Sequence, residues 1–159
     1  MRNAPIGRET KVDHYEVSVE RRINASPERI YNLIIDMEEH RRILPKQFET
    51  LEVLEGGKGA GTVFRLTMNV LGSRSSLIMT LSEPEPGRIV QEQDRSAGVT
   101  TIWELVPESE GQCLLKLTSQ FPKKPGFSGW VERLVTPAVI RSIYDQELKN
   151  INEYLTQVP

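Results

Sequence analysis

The sequence predicts an α+β domain in which a curved, seven-stranded antiparallel sheet wraps around a long C-terminal helix, with two short helices between the first and second strands. Three observations lead to this prediction. Apolar and polar residues alternate along seven segments, the later segments are joined by short turn-rich connections, and the last stretch has helical periodicity. Short connections join antiparallel neighbours. A sheet curved around one amphipathic helix then buries the apolar face of every element.

The first strand is predicted to begin at Asp13, after a polar tail of residues 1–12. Its alternation is that of a half-buried strand, with Tyr15, Val17, Val19, Arg21 and Ile23 on one face. Arg21 is the unusual member of this apolar face. We expect its guanidinium either to reach solvent at the end of the strand or to pair with a carboxylate inside the domain.

Two short helices are predicted next. Ser26 has the character of an N-cap, Pro27 suits the first helical position, and Glu28 suits the positive end of the helix. A second short turn is expected from Glu38 to about Ile43, before Pro45. The apolar stripe of the first helix consists of Ile30, Leu33, Ile34 and Met37, whereas the charged sequence DMEEH that follows is expected to face solvent.

Six further strands complete the predicted sheet, and one of the six has a weaker pattern. The connections EGGKGAG, GS, EPEPG, RSAG and PESEGQ all have turn chemistry, which indicates a meander. The predicted strands are Phe48–Glu55, Thr62–Leu71, Arg74–Glu83, Arg88–Gln93, Thr100–Pro107 and Gln112–Phe121.

The C-terminal part is predicted to be helical. Ile140, Tyr144, Leu148, Ile151 and Leu155 form one apolar stripe, and Phe127, Trp130, Val131 and Leu134 form an earlier one. Thr136 and Pro137 lie between the two stripes, so the proline either kinks one helix or begins a second. Residues 13–157 are expected to form a single domain.

Composition excludes several classes of function. The chain has 159 residues and a formal net charge of −2, and no basic run is interleaved with aromatic residues, so binding to nucleic acid is not expected. One cysteine, Cys113, excludes an internal disulfide framework and is typical of a cytoplasmic protein. No segment reaches 18 consecutive apolar residues, so stable membrane insertion is not expected.

Common catalytic and cofactor motifs are also absent from the sequence. The run GGKGAG lacks the Lys and Ser or Thr of a phosphate-binding loop and precedes a strand, so a flexible hairpin loop is the better interpretation. His14 and His40 are the two histidines. His40 follows acidic residues, but convergent metal ligands are not evident, and we expect neither a metal nor another cofactor. No Ser-His-Asp or Cys-His arrangement is recognisable.

Several of these segments resemble the START-like (Bet v 1-like) superfamily of polyketide cyclases, dehydrases and lipid-transport proteins, and small bacterial members in particular. The resemblance spans about residues 13 to 156 and is carried by INASPERIYNLIIDMEEH, GAGTVFRLTMNVLG, TTIWELVPESEGQCLLKLTSQF and ELKNINEYL. It implies a helix-grip fold with a cavity between the long helix and the sheet. These motifs specify the fold far better than they specify a chemical activity.

The cavity is therefore the predicted functional site, and its ligand is expected to be a lipid, an isoprenoid or quinone, or a polyketide-like molecule. Aromatic side chains and methionines suit an adaptable apolar pocket. The residues predicted to line it are Phe64, Leu66, Met68, Met79, Trp103, Leu117, Phe121, Trp130, Leu134, Ile140 and Tyr144.

Two alternatives to simple binding remain open. One is an aromatase/cyclase that uses acid or base residues in the cavity, for which Tyr144 and Arg21 are the candidates, with Arg141 or Glu147 as further options on the helix. The other is a protein-interaction module like the co-chaperones and ribosome-associated members of the superfamily. A monomer or a homodimer is expected in each case.

Overall fold

The computed structural model describes residues 14–123 and 137–157. The predicted tail, residues 1–12, lies outside these ranges, as do Trp130, Leu134 and the rest of the earlier C-terminal stripe. The elements are β1 (His14–Ile23), α1 (Pro27–Ile35), α2 (Met37–His40), a 3-10 helix (Arg41–Ile43), β2 (Phe48–Glu55), β3 (Val63–Val70), β4 (Ser73–Glu85), β5 (Ile89–Asp94), β6 (Val99–Ser109), β7 (Gln112–Pro122) and α3 (Pro137–Gln157).

The strands form one antiparallel sheet of seven strands in the order β1-β7-β6-β5-β4-β3-β2. Consecutive strands from β2 to β7 are neighbours, as the short turns predicted. The first strand pairs with β7 and forms the edge of the sheet opposite to β2, so that Val17 lies opposite Ser119. Helix α3 packs on β1, and this arrangement confirms the predicted helix-grip fold.

The first two helices meet at Asp36. Ser26 caps α1 as predicted, since its side-chain oxygen accepts a hydrogen bond from the backbone N–H of Arg29 at 3.4 Å. The apolar stripe predicted along one helix as far as Met37 is divided between two helices, because Asp36 has an extended backbone. Its carboxylate accepts hydrogen bonds from the N–H groups of Glu38 and Glu39 and so caps α2.

The glycine-rich connection between β2 and β3, expected as a flexible loop, is bound to the junction of α1 and α2. Met37 donates its backbone N–H to Gly57 O at 3.0 Å, and Gly59 donates to Ile35 O at 2.9 Å. Lys58 also pairs with Asp36, with 3.4 Å between Nζ and Oδ2. These contacts hold the loop against the junction and satisfy the backbone carbonyl of Gly57 and the backbone N–H of Gly59.

The single turn of α2 carries His40 inward, which corrects the expectation that the charged residues of DMEEH face solvent, while the burial of Met37 agrees with its place in the apolar stripe. Met37 and His40 are both buried, whereas Glu38 is exposed. The two buried residues are three positions apart and therefore share one face of the turn. Cys113 is also buried. Among the helices in the described ranges, none has the length and apolar character needed to cross a bilayer.

Candidate functional site

A cavity of about 100 Å³ lies between the inner face of the sheet and α3. Most of its wall is apolar, because alternate residues of β3, β4, β6 and β7 point towards the helix. Its described lining consists of His40, Leu44, Phe48, Leu51, Phe64, Leu66, Met68, Val70, Leu77, Met79, Glu92, Ala97, Val99, Thr101, Trp103, Leu117, Phe121, Ile140, Ile143, Tyr144 and Glu147.

Most of the residues predicted to face a ligand lie in this wall. They are Phe64, Leu66, Met68, Met79, Trp103, Leu117, Phe121, Ile140 and Tyr144. Trp130 and Leu134 lie outside the described residues. Arg21 is exposed and is not among the lining residues, so its guanidinium reaches solvent from the edge strand and has no contact with the cavity. Arg141 is likewise exposed.

One polar part of the wall is formed by the hydroxyl groups of Thr101 and Tyr144, which Ser119 links from behind into a chain of three hydroxyls. The hydroxyl oxygens of Tyr144 and Ser119 are 2.5 Å apart, and those of Ser119 and Thr101 are 2.7 Å apart. Ser119 is fully buried, and burial raises the pKa of Tyr144 well above its usual value. Tyr144 therefore stays a neutral phenol that can donate a hydrogen bond to a ligand oxygen or accept one from a ligand donor.

The second polar part is a pair formed by His40 and Glu147. Nδ1 of His40 donates to the carbonyl oxygen of Ile34 at 2.9 Å, since a carbonyl can only accept. Nε2 then faces Oε1 of Glu147 at 3.6 Å. Two unprotonated acceptors would repel each other in this position, so the pair holds a proton on one partner. Only 4% of His40 and 3% of Glu147 is exposed.

A second buried carboxylate, Glu92, lies close to this pair. The indole N–H of Trp103 donates to Oε1 of Glu92 at 3.3 Å, and the Trp103 ring also meets the His40 ring edge-on with centroids 5.6 Å apart. Glu92 comes from the inner face of β5 and is 6% exposed. The site therefore contains two carboxylates and one imidazole against an otherwise apolar wall.

Burial and mutual charge shift the ionisation of this cluster. Burial alone would lower the pKa of His40, but the contact with the Glu147 carboxylate and the charges of Glu92 and Glu147 raise it overall. Burial, with a smaller contribution from the charge of Glu147, raises the pKa of Glu92, although His40 and the Trp103 N–H oppose that shift. The cluster can therefore hold protons at a pH at which exposed carboxylates have lost theirs.

The cluster is suited to proton transfer and hydrogen bonding. Within the described residues, no three His, Cys, Asp or Glu side chains are arranged to hold a metal ion. From the sequence, His40 is a candidate only as a weak metal ligand, and Glu92 is not singled out. The sequence does contain a pattern that indicates burial for each of them. His40 follows Met37 by three residues and so continues the apolar stripe of the helix, and Glu92 follows Val90 by two residues and so lies on the same face of the strand.

Comparisons with known proteins give the same fold. The family described as polyketide cyclase/dehydrase and lipid transport matches residues 14–156. The solution structure of the KanY protein has a TM-score of 0.78 and 25% sequence identity, covering 91% of this chain and 99% of that one. A protein of Thermus thermophilus has a TM-score of 0.74 and 26% identity, covering 91% of this chain and 100% of that one.

A more distant structure has a named activity. The Zhui aromatase/cyclase of a Streptomyces species has a TM-score of 0.71 and 18% identity, covering 89% of this chain and 93% of that one. At this identity the likeness shows the fold alone. No curated protein matches the chain at a significant level.

Proposed function

The chain belongs to the polyketide cyclase/dehydrase and lipid transport family, and on this premise we propose that it binds a small hydrophobic molecule in the cavity beneath α3. The single observation that carries the proposal is an internal cavity whose wall is mostly apolar and carries a small number of polar side chains. Such a site buries an apolar ligand body and orients one polar group. Lipids, isoprenoid quinones and polyketide-like molecules all have this character.

The volume of the cavity favours a small ligand or a small part of a larger one. Engineered apolar cavities of about 150 Å³ take up benzene, which is close to the 100 Å³ found here. A single ring or a short acyl segment therefore suits the cavity as it stands. The large apolar residues exposed among the described ones are Leu54, Leu71 and Ile78. They are few, and the apolar wall is internal, which favours ligand binding over a protein-interaction module.

Two neighbouring residues of β4 provide the test. Leu77 lines the cavity, whereas Ile78 points outward. Toluene is titrated into ¹⁵N-labelled protein, and amide shifts are followed by NMR. The wild type and Ile78→Trp should show saturable shifts at cavity residues, and Leu77→Trp, which fills the cavity, should not. The proposal fails if toluene shifts no cavity amide in the wild type, or if Leu77→Trp binds it equally well.

A second candidate function is acid/base catalysis on a carbonyl compound. It is supported by the position of the His40–Glu147 pair and the Tyr144 hydroxyl in the same cavity wall. Tyr144 would hydrogen-bond the carbonyl oxygen of a substrate, and the His40–Glu147 pair would accept a proton from the adjacent carbon. Loss of that proton gives an enol or enolate, which is the nucleophile of an aldol-type ring closure. Arg21, the other sequence candidate, has no part in this proposal because it lies outside the cavity.

Hydrogen exchange tests this second function without a known substrate. Acetophenone is incubated with the protein in D₂O, and loss of the methyl proton signal is followed by NMR. The wild type should accelerate exchange over buffer, and Glu147→Gln should abolish most of the acceleration. Glu104→Gln, which removes a carboxylate outside the cavity, is the control. A rate equal to that in buffer for the wild type would leave binding as the sole proposed function.

A further inference from the structure

The polar cluster contains one more acidic group than basic groups. His40 faces Glu147 directly, with 3.6 Å between Nε2 and Oε1, and this contact accounts for the one imidazole of the cluster. Among the described residues, Glu92 forms no direct ion pair: the charge of His40, which already pairs with Glu147, acts on it from a greater distance, and the hydrogen bond that its Oε1 accepts comes from a neutral indole. A carboxylate that is 94% buried and has no directly paired counter-ion is costly to ionise. It therefore calls for either a proton or a cation.

The wall around Glu92 suits a cation. Ring faces carry negative potential and attract ammonium groups, most strongly in the case of Trp. The indole of Trp103 lines the same cavity and turns its N–H edge, not its face, towards Glu92. Phe64, Phe48 and Phe121 line it as well, and Tyr144 contributes a hydroxyl that can accept a hydrogen bond. A carboxylate beside aromatic rings is a suitable arrangement for an amine on an apolar body.

Hydrogen-bond accounting leads to the same ligand chemistry. Among the described residues, neither Glu92 nor Glu147 receives a hydrogen bond on its Oε2, although both line the cavity. The hydroxyl chain of Thr101, Ser119 and Tyr144 is already linked internally. The open positions near the cluster are therefore mainly acceptors, and they need a ligand that donates hydrogen bonds.

We propose that the ligand is a small hydrophobic amine whose protonated nitrogen binds Glu92, with its apolar body in the cavity. The proposal rests on the proposed function and specifies the class of molecule bound there. His40 from α2 and Glu147 and Tyr144 from α3 are the titratable groups that surround Glu92. His40 already pairs with Glu147, so the ligand ammonium pairs with Glu92. The ammonium takes the place of the proton on the Glu92 carboxyl, and that proton passes to the solvent.

Three probes of similar size separate this proposal from general apolar binding. Benzylamine, benzyl alcohol and toluene are each titrated into the wild-type protein by calorimetry near neutral pH. A hydrogen bond to a charged group corresponds to roughly tenfold or more in affinity, so benzylamine should bind about tenfold more tightly than toluene. Its heat should also change between two buffers of different ionisation enthalpy, because a proton is released, and that of toluene should not.

Matched variants localise the effect. Glu92→Gln should lose about tenfold in benzylamine affinity and keep its toluene affinity, whereas Glu104→Gln on the adjacent strand should bind both probes like the wild type. Retained toluene binding also shows that Glu92→Gln is folded. If the variant does not fold, the ratio of benzylamine to toluene affinity in the wild type decides alone.

Each failure has a separate meaning. Equal affinity for benzylamine and toluene would overturn the amine proposal and leave apolar binding intact. Equal affinity for benzylamine and benzyl alcohol would also overturn it, since any hydrogen-bond donor would then serve. Absence of binding by all three probes would overturn the proposed function itself.

Discussion

Nε2 of His40 lies 3.6 Å from Oε1 of Glu147, and the two side chains are enclosed together at the wall of the cavity. His40 is held from its other side by the carbonyl oxygen of Ile34, so the ring cannot turn away from the carboxylate without losing a buried hydrogen bond. The pair joins the short helix α2 to the long helix α3. It therefore links the ionisation of the cavity to the packing of two elements.

Replacing Glu147 with Gln should lower the pKa of His40 relative to the wild type. The close contact with Glu147 and the charge of that residue help to raise the pKa of His40, whereas burial, which lowers it, remains in the variant. The imidazole signals of His40 can be followed by NMR between pH 4 and 9. The wild-type protein measured under the same conditions is the reference. An unchanged titration of His40 would show that Glu147 has no influence on its proton.

The stability of the protein should fall as the pH rises through the range in which Glu92 ionises. Burial raises the pKa of Glu92 above its ordinary value of 4.5, so the folded chain binds more protons than the unfolded chain in that range. Stability gained this way is fully present below 4.5 and is lost as the pH rises through the raised pKa. His40, whose pKa is also raised, contributes a decline of the same sign above 6.5.

Urea unfolding at several pH values measures this effect. Glu92→Gln cannot ionise, so its unfolding free energy should fall less steeply above pH 4.5 than that of the wild type. Each unit by which the pKa is raised corresponds to about 1.4 kcal/mol. Parallel curves for the two proteins would contradict the prediction.

Removing the central hydroxyl of the chain Thr101–Ser119–Tyr144 should lower the unfolding free energy more than removing the hydroxyl at its Tyr144 end. Tyr144→Phe removes one partner of Ser119 and should cost about 1 kcal/mol, whereas Ser119→Ala removes a fully buried hydroxyl that contacts both Thr101 and Tyr144 and should cost about 2 kcal/mol. Ser18→Ala removes a hydroxyl pair with Thr118 on the exposed face of the β1–β7 pairing and should cost less than about 0.5 kcal/mol. Chemical denaturation gives all three values, and a cost for Ser119→Ala no larger than that for Ser18→Ala would contradict this ranking.

The turn between β3 and β4 should be open to stabilisation. Leu71 has a φ of 53° and is 85% exposed, and Gly72 beside it has a φ of 83°. Two consecutive positive φ values define a turn for which Asn-Gly is strongly preferred. Leu71→Asn should therefore raise the unfolding free energy by about 0.5–1 kcal/mol. A melting temperature below that of the wild type would show that Leu71 makes a stabilising contact that its exposure does not reveal.

Gly56 should tolerate substitution less well than Gly61. Both have positive φ, at 71° and 88°, but a Cβ on Gly56 would lie 3.0 Å from Oγ1 and 3.2 Å from Cα of Thr62, whereas a Cβ on Gly61 would meet nothing within 4 Å. Gly61→Ala should cost about 1–2 kcal/mol through backbone strain alone. Gly56→Ala should cost more, because the clash with the Thr62 backbone adds to that strain. Equal denaturation midpoints for the two variants would refute the difference.

The strands could be predicted because each has a local signal. Alternation and turn residues located all seven, and the largest differences in their ends are a few residues, as in β4, which was predicted at Arg74–Glu83 and observed at Ser73–Glu85. The Ser-Pro-Glu start of α1 identified its N-cap for the same reason. The break at Asp36 could not be predicted in this way, since it depends on the loop containing Lys58 on another part of the chain.

The polar cluster was harder to predict than the apolar wall. Apolar lining residues follow the periodicity of single elements, whereas the contacts among His40, Glu92 and Glu147 join residues from α2, β5 and α3. A charged residue on an apolar face also has an ordinary explanation, as Arg21 shows by reaching solvent. The fold alone decides which of these charges is enclosed.

The pairing of β1 with β7 has a consequence for the time course of folding. Ser18 and Thr118 are adjacent in the sheet and 100 positions apart in the chain. During synthesis β1 therefore cannot pair with β7 until almost the whole meander has left the ribosome, and its apolar side stays uncovered by the sheet until then. Contacts between residues so distant in sequence slow folding, because a long segment must be ordered before they form. In the nascent chain, β1 is therefore open to non-native contacts for the longest time, although it is also the strand that completes the sheet.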